Sequence, residues 1–148
     1  MILVDANLLI YAVDQDAPHH KAARKWVEGA FSGSITVGLS WSVILAFLRL
    51  TTRPGILRRP MSPESAVGFI DEWLSLKTVE IVVPGDRHWA IFRSLLKTAG
   101  TAGNLTSDAQ LAALAIERGA TVFSADADFG RFNGLLHLNP LKSPRSGP

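Results

Sequence analysis

Short apolar runs alternate along this chain with segments whose apolar residues recur every three to four positions, a rhythm that predicts strands alternating with helices. Ile2-Leu3-Val4 reads as a strand running into a helix over Leu8–Val13, capped by Asp5 or Asn7. Pro18 opens a second helix whose positions Ala22, Ala23, Trp26, Val27 and Ala30 make one face, with Gly33 closing it. A strand over Ile35–Gly38 precedes a third helix, capped by Ser40 and running to about Thr52. The Pro- and Arg-rich segment 53–63 is a loop, after which Ser62-Pro63 starts a fourth helix to Leu76. Val79–Val83 is a strand, Asp86–Thr98 a helix and Gly100–Asn104 a flexible hinge. Ser107 with Gln110 suggests a capping box for a helix from Asp108 to Arg118, ended by Gly119. Thr121–Phe123 and Leu135–Leu138 supply the last strands. Strands alternating with helices imply an α/β sandwich with a mostly parallel central sheet.

Composition narrows the class. The chain has 148 residues, 47% hydrophobic and 19% charged, enough for one domain over 1–141 with a loose tail over 142–148. The longest apolar runs, Val43–Leu48 and Leu111–Ile116, fall far short of the roughly 20 residues a membrane span needs, and no leader is visible, so a cytoplasmic protein is expected. Zero cysteines exclude a disulfide framework and thiolate metal sites. A net charge of +2 is too small to argue nucleic-acid binding without knowing where the cations lie.

The candidate chemistry lies in four aspartates from three stretches. Asp5 follows the first strand, Asp108 opens a helix, and Asp126 and Asp128 follow Thr121-Val122-Phe123. Each alone reads as a cap or turn residue. Together they stand where ligands bind open α/β sheets, outside the carboxyl ends of the strands. An extended Ser124–Phe129 would put Asp126 and Asp128 on one side, where oxygen ligands suit a hard cation such as Mg²⁺ or Mn²⁺. The histidines lack the four-residue spacing of a helical zinc pair: His19 and His20 are adjacent, and His88 and His137 stand alone. The four tryptophans sit in helical apolar patterns that suit core or interface packing.

Three segments in order, Val4-Asp5-Ala6-Asn7-Leu8-Leu9-Ile10-Tyr11-Ala12, Asn104–Ala115 and Ser124-Ala125-Asp126-Ala127-Asp128-Phe129, resemble a PIN-domain ribonuclease. The similarity is nearest to VapC toxins of type II toxin–antitoxin systems, including the Asn139-Pro140-Leu141 ending of mycobacterial members. The resemblance implies a PIN-like three-layer sandwich and hydrolysis of structured RNA, tRNA or rRNA, with Mg²⁺ or Mn²⁺. It implies Asp5, Asp108 and Asp126 as the metal-site residues, Asp128 as an auxiliary catalytic residue, and Asn7 orienting Asp5. The implied partners are RNA, a cognate antitoxin and a second copy of the chain. One position departs from the pattern: Ala46, in Leu45-Ala46-Phe47-Leu48-Arg49, stands where the family carries Glu. Either this branch manages with aspartates alone, or the replacement silences a toxic enzyme, leaving a non-catalytic RNA- or antitoxin-binding domain as the alternative. Helical spacing then sets Ser42, Arg49 and Arg53 beside position 46, making the two arginines candidates for RNA phosphates.

Overall fold

The computed structural model describes residues 1–142, so the expected loose tail lies, from position 143 on, outside the described residues. Strands β1 (Ile2–Val4), β2 (Val37–Ser40), β3 (Val79–Val82), β4 (Thr121–Phe123) and β5 (Leu136–Leu138) form one parallel sheet in the order β3-β2-β1-β4-β5. Helices α1 (Ala6–Val13), α2 (His20–Phe31), α3 (Trp41–Thr52), α4 (Pro63–Leu74), α5 (His88–Ala99) and α6 (Thr106–Arg118) connect the strands. The chain winds from β1 outward to β3 and then returns to place β4 on the other side of β1. Strand order therefore reverses between β1 and β4, where a crevice opens at the carboxyl ends of a parallel sheet.

The core explains the short strands. Leu3, Val4, Val37, Leu39 and Val122 are fully buried, as expected for strands covered on both faces. One side packs Leu8, Leu9 and Phe47 with the edge-to-face pair Phe47–Trp73, and Ala112–Ala115 of α6 lie wholly inside. At Gly38 in β2, a Cβ would lie 2.5 Å from side-chain carbons of both Leu3 and Val82. Gly38→Ala is therefore expected to destabilise the fold by about 1–3 kcal/mol through overpacking, measurable by urea unfolding. An unchanged midpoint would mean that the sheet yields there without strain.

Several boundaries depart from expectation. Strand β2 begins two residues late, because its register pairs Val37 with Val79 and Ser40 with Val82, leaving Ile35 exposed. Ser40 ends that strand and also caps α3, accepting from the Val43 amide. The Ser107–Gln110 capping box does not form. A 3₁₀ turn at Gly103–Leu105 runs directly into α6, so Leu105 is already helical and no extended cap position precedes Ser107. Gln110 is thereby left for another use.

Candidate metal centre at the carboxyl ends of β1 and β4

Each aspartate reaches the crevice for a local reason. Asp5 leaves β1 in extended conformation as the cap of α1, its Oδ1 accepting from the Ala6 amide at 2.8 Å. Its Oδ2 accepts from the Ser124 hydroxyl at 2.7 Å. Asp126 caps a 3₁₀ turn over Ala127–Arg131, with Oδ1 accepting from the Asp128 amide at 2.8 Å. Asp108 sits in the first turn of α6, where the helix dipole favours an anion. Asp108, Asp126 and Asp128 each bring one carboxylate oxygen within 4.8 Å of the other two. Asp5 borders that group and interacts electrostatically with both Asp108 and Asp126.

The route to this convergence differs from the extended segment expected for 124–129. The chain turns at Asp126, and an Asx-type bond to the Asp128 amide folds the two carboxylates toward each other. The link between Asn7 and Asp5 is also indirect. Asn7 Nδ2 donates to Ser124 Oγ at 3.1 Å and Asn7 Oδ1 accepts from the Ala125 amide, while Ser124 makes the bond to Asp5. Ser124, fully buried, further accepts from the Asp126 amide at 3.0 Å, so one hydroxyl ties the two strand ends together. No role for Ser124 was legible in the sequence, since a lone Ser before a turn is commonplace; its signal is the contact between segments more than a hundred residues apart.

The electrostatics are dominated by crowded negative charge. Burial, followed by the charges of Asp5, Asp126 and Asp128, pushes the Asp108 carboxyl up to about 7. Burial also raises Asp5, against the lowering effect of Ser124 and the Ala6 amide. Carboxylates held this close resist joint ionisation. A divalent cation relieves that repulsion, and an all-oxygen donor set suits a hard ion. The donor set thus fits a divalent metal. The Asp128–Arg131 contact, at 3.7 Å on the exposed rim, adds little.

A groove of about 410 Å³ leads from Asp5 and Asp108 toward α3 and is lined there by Ser42, Ala46 and Arg49. Position 46 does face the groove, and it presents a methyl group. Arg53 ends α3 as its cap, exposed and outside the groove lining. Trp73 and Trp26 pack inward, whereas Trp41, Leu45 and Trp89 are exposed.

A family model described as PIN domain matches residues 2–135. The chain is 44% identical over 140 residues to Ribonuclease VapC37 of Mycobacterium tuberculosis strain ATCC 25618 / H37Rv, covering 95% of this chain and 97% of that protein. It is 39% identical over 142 residues to Ribonuclease VapC33 of M. tuberculosis strain CDC 1551 / Oshkosh, covering 96% and 99%. Among solved structures, VapBC2 from Rickettsia felis bound to a promoter DNA fragment matches with a TM-score of 0.68 at 21% identity, over 94% of this chain and 98% of that one.

Proposed function

The chain belongs to the PIN-domain family, in its VapC ribonuclease branch, and from that premise we propose that it is an endoribonuclease toxin whose acidic crevice hydrolyses phosphodiester bonds of structured RNA. The observation that carries this reading is the cluster of Asp108, Asp126 and Asp128 oxygens, with Asp5 beside it, at the point where strand order reverses. In this reading Asp108, Asp126 and Asp5 hold Mg²⁺ or Mn²⁺, and Asp128 assists from the rim. The cation would supply positive charge against the scissile phosphate. Ser124 holds Asp5 by its 2.7 Å bond, and Asn7 acts through Ser124. The clustering of four aspartates favours a working enzyme over a non-catalytic binding domain, despite Ala46.

A cognate antitoxin is the partner that fits VapBC-type neighbours. Exposed Trp41 and Leu45 on α3 and Trp89 on α5 offer the apolar contacts a protein partner or a second copy would cover. The described residues contain no helix long and apolar enough to cross a membrane, and a toxin acting on cellular RNA belongs in the cytoplasm. We assign residues 1–141 to one domain.

The deciding experiment incubates the protein with total bacterial RNA in Mg²⁺ or Mn²⁺ and sequences the new ends. Wild-type protein yields discrete ends and Asp5→Asn does not; ends produced equally by both would remove the site from the reaction. Arg49 lines the groove, so Arg49→Ala should weaken RNA binding and lower the salt slope by somewhat less than one unit. Arg53→Ala should do less, because it stands outside the groove lining. Equal slopes for both variants and wild type would move the RNA path away from α3.

A further inference from the structure

A second polar chain leaves the groove on the side away from Ser124. Ser42, on the groove wall, donates from Oγ to Gln110 Oε1 at 2.9 Å and is bonded to Ser40 Oγ at 2.9 Å. Gln110, two residues beyond Asp108 on α6, turns its Nε2 toward His88 Nε2 at 3.4 Å. His88, at the start of α5, has a side chain only 13% exposed, stacks on Phe92, and buries an Nδ1 that has no hydrogen-bond partner. The nearest charge to that Nδ1 is Glu117 Oε2, at 3.8 Å. Glu117 is in turn held by the amides of Gly85 and Arg87, at 3.0 and 3.2 Å. No Cβ fits at Gly85 without striking that carboxylate.

Donors and acceptors fix the direction of this chain. Gln110 Nε2 can only donate, so His88 Nε2 accepts and the ring proton sits on Nδ1, facing Glu117. Gln110 Oε1 then accepts the Ser42 proton, and Ser40 must donate to Ser42. The hydroxyl that Ser42 turns to the groove therefore offers a lone pair and no proton. We propose that His88 is a positioning residue for the ribonuclease reaction, acting through Gln110 to hold Ser42 as an acceptor on the groove wall. An acceptor there receives an O–H donor such as a ribose 2′-hydroxyl and not a phosphate oxygen, which suits an RNA substrate. The inference rests on the ribonuclease reading.

Protonating His88 reverses the chain. Nε2–H becomes a donor facing an amide donor, Gln110 must turn over, and Ser42 accepts from Gln110 instead of giving up its proton. The charged groups around the ring are Glu117 and two arginines, Arg87 on the Glu117 carbonyl and Arg118 on the Val83 carbonyl. Asp86, exposed in the β3–α5 connection, is the remaining nearby charge in sequence.

The test compares cleavage of total bacterial RNA by wild type, His88→Phe and His88→Gln across about pH 5 to 8, the interval in which imidazoles change charge. His88→Phe keeps the packing and loses the acceptor, so at pH 8 it should cut the cleavage rate about tenfold, one hydrogen bond's worth. The ratio of wild-type to His88→Phe rates should then shrink toward one at acid pH. His88→Gln restores an acceptor that does not titrate, and should recover activity with melting temperatures held within a few degrees. A ratio constant with pH, or His88→Gln as impaired as His88→Phe, overturns the role. Nitrogen-15 spectra of the wild-type imidazole at pH 8 should report the Nδ1–H tautomer, and finding Nε2–H instead also overturns it. Absence of any cleavage by wild type sinks the ribonuclease reading itself, whereas a flat ratio with an active wild type sinks this inference alone.

Discussion

Asp108→Asn should cut RNA cleavage by about two to three orders of magnitude and at the same time make the metal-free protein harder to unfold at pH 8. The loss follows from removing an anionic oxygen from the three-carboxylate group, where charge stabilisation of several kcal/mol corresponds to a rate loss of about 10²–10³-fold. The gain follows from linkage. In the folded chain burial, followed by the charges of Asp5, Asp126 and Asp128, pushes the Asp108 carboxyl up to about 7 from its ordinary 3.8. The folded state therefore binds more protons than the unfolded chain between those values. The corresponding stability is fully present below about pH 4 and is lost as pH rises through about 7. At pH 8 the ionised group works against folding, and Asn removes its charge. Because Asp108 is half-exposed and solvent screens it, roughly 1–2 kcal/mol survives, or about 3–6 °C in Tm. Saturating Mn²⁺ should reverse the order, stabilising wild type only. A variant that loses activity without gaining metal-free stability would mean that the carboxylates do not repel one another as their spacing implies.

Mn²⁺ affinity should fall steeply with acid. A ligand must lose its proton before it binds, so below about pH 7 each unit of acidification should cost about tenfold in affinity from Asp108 alone. Between pH 8 and pH 5 the loss is on the order of 100-fold, and the upward shift of Asp5 adds to it in the same direction. Calorimetry in two buffers of different ionisation enthalpy measures the accompanying proton release. That release should be near one proton at pH 6 and small at pH 8. An affinity independent of pH over this range would exclude Asp108 as a ligand, whatever the activity of its variants.

The sequence by itself determined the order of elements, because apolar periodicity and local punctuation act within a few residues. Ile2–Val4, the Ser40 and Ser62 caps and the Gly119 stop all stand where the pattern puts them. It also singled out the four aspartates, since carboxylates at strand ends and a helix start are a local signal whose convergence is implied by parallel topology. What only the tertiary structure decided depends on contacts across long separations. Ser124 joins Asp5, Asn7 and Asp126 although it is 119 residues from Asp5, and nothing in a single Ser announces such a meeting. Gln110 looked like half of a capping box, a local use. The preceding 3₁₀ turn removed that use, and the packing of α5 on α6 placed His88 within reach. Strand β2 likewise took its bounds from pairing with β3, which buries Val37 and Leu39 and leaves Ile35 in solvent, because register follows the partner strand and not local propensity.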